Sequence, residues 1–317
     1  MYGKTSLYEE VPMGKILLFY KYTLLDNPKR MLKWQRKICT DLRLTGRILI
    51  GTEGINATVG GTDEHVARYI EIMRQEPCFA DIDFKQSEGG ADCFPKLVIK
   101  IRDEIVTLGI PAQQLGSQQG GIHLSPDQTH QLLTDNPDDL VVLDARNDFE
   151  WQVGRFTNAI LPPIQNFREF PEYIEKNLDQ FKNKKVLMYC TGGVRCERAT
   201  ALLKVKGVAK EIYQMEGGIC KYAEKYPDGY FRGKNYVFDG RVTQKVNEDV
   251  FGHCYICNSS CDEYTNCANA LCNRHFIGCA DCISRLQNTC SSICQQLVSE
   301  KKVATRPKGF KAVIQTI

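Results

Sequence analysis

From Cys190 to Arg195 the chain reads Cys190-Thr191-Gly192-Gly193-Val194-Arg195, a thiol and a guanidinium at the two ends of a short loop. A thiol reacts as its thiolate. The two glycines let the backbone turn tightly and aim its N–H groups inward, and a helix starting behind the loop adds further free N–H groups. Arg195 contributes a fixed cation. The pattern predicts an anion cradle around the Cys190 sulfur, in a loop expected to face solvent. Such a cradle can hold a thiolate, a persulfide or a bound oxyanion. Two chemistries fit it: sulfur transfer through a cysteine persulfide, and phosphate-ester hydrolysis through a cysteinyl phosphate. Spacing alone leaves both open. An inactive remnant is a third reading, weakened by the presence of both the cysteine and the arginine. Cys196 is either a resolving thiol for Cys190 or a helix-face residue packed inward. Glu197 and Arg198 either reach a substrate phosphate or lie in solvent.

A second set of reactive side chains lies further on. Nine of the fifteen cysteines fall between Cys254 and Cys294. In a reducing compartment such a cluster reads as metal binding before it reads as disulfides. The candidate zinc ligands are Cys254, Cys257, Cys261, Cys267, Cys272, Cys279, Cys282, Cys290, Cys294 and His275. The C-x2-C pairs Cys254/Cys257 and Cys279/Cys282 fit one tetrahedral site. The remaining candidates could complete a second, and spacing alone does not distribute them. Disulfides or free thiols are the alternative, with an iron–sulfur cluster behind them. The scattered Cys39, Cys78, Cys93 and Cys220 read as small buried hydrophobes.

The elements that must position these residues fall into three segments, expected at 1–121, 122–227 and 228–317. In the first, "KILLFYKYTLL", the two halves of "GRILIGTEGINATVGG" and "PKLVIKIRDEIVTLG" read as strands. "NPKRMLKWQRKICTDL" and "TDEHVARYIEIMRQ" carry helix-entry signals at Asn27-Pro28 and Thr62. The order βαββαβ is that of a ferredoxin-like or acylphosphatase-like domain. In the second, "DLVVLDAR", "KKVLMYC" and "EIYQMEGG" are apolar strands separated by helical stretches, which predicts an α/β domain with a mainly parallel sheet. Function in such sheets collects at the strands' carboxyl ends, where Cys190 falls. The third is a Cys-rich irregular segment ending in a basic stretch, with five cations from Lys301 to Lys311.

Basic and acidic residues number 16 and 15 in residues 1–123, 14 and 15 in 124–226, and 11 and 8 in 227–317. No segment has the excess of an electrostatic nucleic-acid binder. No apolar run approaches a membrane span. The start "MYGKTSLYEEVPMGK" has acids and no apolar core, so a signal peptide is not expected and a cytoplasmic location is. Oligomeric state is not legible.

Three stretches resemble rhodanese domains in order: "VVLDARNDFEWQVGRFTNAI", with Asp144, Arg146, Glu150 and Gly154 in matching places, the Cys190 loop, and "IYQMEGGI". Arg155 stands where a histidine is usual. Over nearly the whole chain the sequence also resembles the oxygen-dependent tRNA uridine-34 hydroxylases, through "GTEGINATVGG", "YCTGGVRCERAT" and "CDEYTNCANALC". That resemblance implies an oxidoreductase of tRNA modification. It would convert the wobble uridine in the anticodon loop to 5-hydroxyuridine, with molecular oxygen as co-substrate and Cys190 as a persulfide-type catalytic cysteine. No flavin or nicotinamide motif is present. The alternative function is a rhodanese-type sulfurtransferase that passes a Cys190 persulfide to an acceptor.

Overall fold

The computed structural model describes residues 14–306 and divides the chain after Arg102 into two units. The first holds β1 (Gly14–Tyr22), α1 (Pro28–Asp41), β2 (Thr45–Gly51), β3 (Gly54–Thr62), α2 (Asp63–Gln75), β4 (Lys85–Glu88) and β5 (Leu97–Ile101). Both helix entries lie where the sequence puts them: the side chains of Asn27 and Thr62 cap α1 and α2. The sheet order is β4-β1-β3-β2-β5. One expectation is corrected. The strand closing the βαββαβ unit against β1 is the polar stretch Lys85–Glu88, not the apolar stretch ending at Ile101. That apolar stretch supplies β5, a fifth strand parallel to β2. Both are edge strands, and the apolar one is the strand that the sequence announces; the polar one is placed by its backbone pairing with β1.

The second unit begins with β6 (Ile122–Leu124), α3 (Pro126–Asp135), β7 (Leu140–Asp144), α4 (Asp148–Trp151), β8 (Gly154–Phe156) and α5 (Phe170–Lys176). It continues with β9 (Lys185–Tyr189), α6 (Val194–Lys206), β10 (Glu211–Met215), α7 (Gly218–Lys225), β11 (Phe231–Tyr236) and β12 (Thr243–Lys245). The parallel sheet runs β6-β10-β9-β7. Strand β9 is apolar and almost wholly buried, as befits a strand covered on both faces. Helix α6 is buried from Arg195 through Leu203, so it lies inside the unit rather than on it. Leu108 and Leu115 join the same core. Strand β11 pairs antiparallel with β8, and β12 with β11.

The Cys-rich stretch adds β13 (Tyr264–Asn266), β14 (His275–Ile277), α8 (Ala280–Arg285) and α9 (Ser292–Ser299). Strands β13 and β14 form a hairpin. The cluster beneath it consists largely of sulfur, with Cys267, Phe276, Cys290 and Cys294 at its centre. The basic stretch beyond Arg306 lies outside the described residues.

Candidate active site

Cys190 stands at the carboxyl end of β9, with the N-terminus of α6 directly behind it. Gly193 caps α6 in the left-handed region at φ 104°, and its N–H donates to the Cys190 sulfur at 3.1 Å. A second glycine pair supports the loop from below. Gly218 has φ +63°, and a Cβ there would lie 2.4 Å from the Cys190 carbonyl oxygen and 2.8 Å from that of Thr191. This close approach lets Ile219 N–H reach the Cys190 carbonyl at 3.0 Å and Cys220 N–H the Thr191 carbonyl at 3.1 Å. The loop is thus pinned by backbone from both α6 and α7.

The expectation of a solvent-facing thiol is corrected: Cys190 has 0% exposure, and Arg195 and Thr191 have 6% each. Burial by itself would keep such a thiol protonated. The Cys196 thiol, the charge on Arg195 and the backbone N–H groups of Cys196 and Arg195 outweigh burial and bring the Cys190 pKa down to about 6. Cys196 shifts the other way: burial, and its hydrogen bond to Cys190, hold it well above the ordinary thiol value. Cys196 therefore packs inward, fully buried in the core around the loop.

Arg195 does more than face the sulfur. Its guanidinium binds the Glu150 carboxylate through two bonds, at 2.5 and 2.7 Å. Thr191 links them, donating to Glu150 at 3.1 Å and accepting from Arg195 at 3.2 Å. Glu150, at 0% exposure, also accepts from the backbone N–H of Asn147, the residue before α4, at 3.1 Å. A second buried ion pair, Asp144 with Arg146, lies at the end of β7. The sequence singled out Glu150 as part of a signature without giving it a role. The signal that could have found it is the Asn147-x-x-Glu150 capping pattern, which fixes a carboxylate near the strand ends.

Glu197 and Arg198 neither project into solvent nor stand free for a phosphate. Glu197 pairs with His123 at 3.3 Å, and Arg198 pairs with Glu104 at 3.5 Å and donates to the Ile110 carbonyl. Arg155, in the place of the usual histidine, lies over the Phe251 ring.

The wall on the α4 side is aromatic. Tyr236 meets Phe149, Phe238 and Tyr264 edge-on, and its carbonyl accepts from Thr191 at 3.5 Å. Tyr264 donates to the Phe149 carbonyl at 2.6 Å and stacks on His275 at 4.5 Å. His275 bonds Asn266 and Tyr236 and is kept neutral by burial, its pKa near 4.

The candidate metal ligands gather into two sets, Cys254/Cys257/Cys279/Cys282 and Cys267/Cys272/Cys290/Cys294. Within each, the four sulfurs lie within 4.8 Å of one another. Cys261 and His275 belong to neither. Cys261 packs against the cluster of Val153, Tyr236, Val242 and Ile277, and His275 is engaged in the aromatic wall.

Residues 14–105 match the family described as UPF0176 acylphosphatase like domain, residues 125–225 the rhodanese-like domain, and residues 232–295 the rhodanase C-terminal domain. Over most of its length the chain is similar to proteins named tRNA uridine(34) hydroxylase. That of Corynebacterium diphtheriae is 40% identical, over 92% of this chain and 98% of its own. That of Corynebacterium glutamicum strain R is 42% identical, over 86% and 90%. That of Cytophaga hutchinsonii is 41% identical, over 89% of each chain. Coverage this complete, across all three segments, shows that the chain belongs to the tRNA uridine(34) hydroxylase family.

Proposed function

We propose that this protein is a tRNA-modifying oxidoreductase that hydroxylates uridine 34 at C5, with molecular oxygen as co-substrate and Cys190 as the catalytic sulfur. The observation that carries the reading is a cysteine at the end of β9 whose sulfur takes the Gly193 N–H at the start of α6, in a chain 40% identical to such hydroxylases over nearly their full length. The C5–C6 bond of uracil is conjugated to a carbonyl. A thiolate, or a persulfide borne on Cys190, adds to C6, and the displaced electron pair makes C5 electron-rich toward oxygen. The C5 hydroperoxide so formed is reduced by two external thiols to the C5 hydroxyl, water and a disulfide. Loss of the C5 proton then expels the sulfur from C6 and restores the C5–C6 double bond. Arg195 and the α6 N–H groups hold the negative charge on sulfur before the addition. Glu150 fixes the guanidinium in place and is a positioning residue.

The substrate is the anticodon loop. It is single-stranded there, so presenting one base costs little unpairing energy. With tRNA as substrate, the enzyme works in the cytoplasm. Among the described residues no helix is long and apolar enough to cross a membrane.

The test uses a strain lacking the gene, complemented with the wild-type or Cys190→Ser chain, and mass spectrometry of its tRNA nucleosides. Serine neither ionises near neutral pH nor carries a persulfide, so 5-hydroxyuridine is expected to return only with the wild type. Return with the serine variant removes Cys190 from the chemistry. Loss of a thiolated base instead of 5-hydroxyuridine assigns the protein to sulfur transfer.

A further inference from the structure

The two cysteine sets are interleaved along the chain. The first takes Cys254 and Cys257, the second Cys267 and Cys272, the first again Cys279 and Cys282, and the second again Cys290 and Cys294. The sulfur spacings suit single ions. A tetrahedral zinc with sulfurs at about 2.3 Å places them about 3.8 Å from one another. Cys257 and Cys279 are 3.7 Å apart, Cys272 and Cys290 3.6 Å, and Cys290 and Cys294 3.9 Å. A disulfide would need about 2 Å, and a multi-iron core would hold its four sulfurs much farther apart than one ion does. Supporting donors are in place around both sets. Arg285 donates to the Cys282 sulfur at 3.4 Å, Cys290 N–H to that of Cys267 at 3.4 Å, and Asn269 to that of Cys294 at 3.4 Å. Such outer contacts orient ligands and offset thiolate charge.

The β13–β14 hairpin is caught between the two sets. Cys267 directly follows β13, Cys272 precedes β14, and Cys279 lies just beyond its end. Each strand has only three residues, and a hairpin of that size does not stand alone in water. On its Phe276 side the hairpin packs mainly against Cys267, Cys290 and Cys294, with Ile256 and Ile283 at the margin. Yet this hairpin carries Tyr264 and His275, which support Phe149 and Tyr236 beside Glu150 and Thr191.

We propose that the Cys-rich segment binds two zinc ions in interleaved tetrathiolate sites, and that these ions fix the hairpin that supports the α4 side of the active site. The ions are structural. All four positions of each are filled by sulfur, leaving none open for substrate.

The full-length protein, purified reduced and without chelator, should contain two zinc ions per chain by elemental analysis. Cobalt substitution should give the intense near-ultraviolet thiolate bands and visible bands of tetrahedral sulfur coordination. Cys261→Ser should keep both ions. Cys294→Ser should lose one and, because the sites are interleaved, release the other to a competing chelator about tenfold faster or more. Chelation of the wild type should raise the pH midpoint of Cys190 alkylation above its value near 6. Protein with no zinc above background, or with iron in its place, overturns the metal assignment, and that measurement needs no variant. Release of the remaining ion at the wild-type rate overturns the interlock. An unchanged Cys190 midpoint after metal removal overturns the support of the active site.

Discussion

At the scale of single residues the sharpest expectation concerns protons on sulfur. A folded Cys190 that ionises near 6, against an ordinary 9.0, binds fewer protons than the unfolded chain between those values. Its contribution to stability is complete above about pH 9 and lost as pH falls through 6. Alkylation of Cys190, followed by mass spectrometry against pH, should show a midpoint near 6. Cys196→Ala removes the first of the groups that lower it, so the midpoint should move up toward the ordinary value. Cys196→Ser keeps a donor and should move it less. Arg195 has two roles that one substitution cannot separate. Arg195→Ala should raise the midpoint and leave the Glu150 carboxylate buried without its partner. Breaking a buried pair in this way costs about 3–5 kcal/mol, to be read from urea unfolding. Arg195→Lys restores a charge but not the two-pronged grip, so it should recover part of the stability and little of the geometry. The loop, its cysteine and its arginine were legible because glycine spacing and charge act locally. The role of Glu150 was not, because the guanidinium it holds is 45 positions away.

At the scale of elements, the cradle depends on α6 and α7 meeting the end of β9 at backbone distance. Gly218→Ala should test this. It places a methyl group against the Cys190 and Thr191 carbonyls at a left-handed φ. Strained backbone of this kind costs on the order of 1–3 kcal/mol before any clash is relieved. Differential scanning calorimetry should show a lowered Tm. The Cys190 midpoint should move with it, since the loop must shift to make room. The parallel strands and their helices were readable from apolar runs, because a strand buried on both faces advertises itself. Strand β4 was not, since its Lys-Gln-Ser-Glu sequence carries no apolar signal and its place is set by pairing with β1. Burial of Cys190 was equally hidden. It follows from the packing of α7 and the Tyr236 wall onto the loop, neither of which is local to it.

At the scale of the whole molecule, charge is nearly balanced in each segment, so tRNA affinity should not rest on one basic face. The basic C-terminal stretch is a candidate for salt-sensitive backbone contact. The structure determines where to cut. Residues 304–306 strap the second cysteine set, with Ala270 N–H on the Ala304 carbonyl and Arg306 on the Cys267 carbonyl and Asn273. A truncation must therefore follow Arg306. Removing residues 307–317 should weaken tRNA binding and flatten its salt dependence while leaving Cys190 alkylation unchanged. Equal affinity and equal slope would place the contact elsewhere. The interleaved order of the cysteines also governs how a new chain matures. During synthesis Cys254 and Cys257 wait for Cys279 and Cys282, while Cys267 and Cys272 wait for Cys290 and Cys294. The parallel sheet and the Cys190 loop are complete in sequence before any of these has emerged. A newborn enzyme thus passes through an interval with its reactive sulfur assembled and the Tyr264 buttress unseated, and a cell short of zinc would accumulate it in that half-finished form.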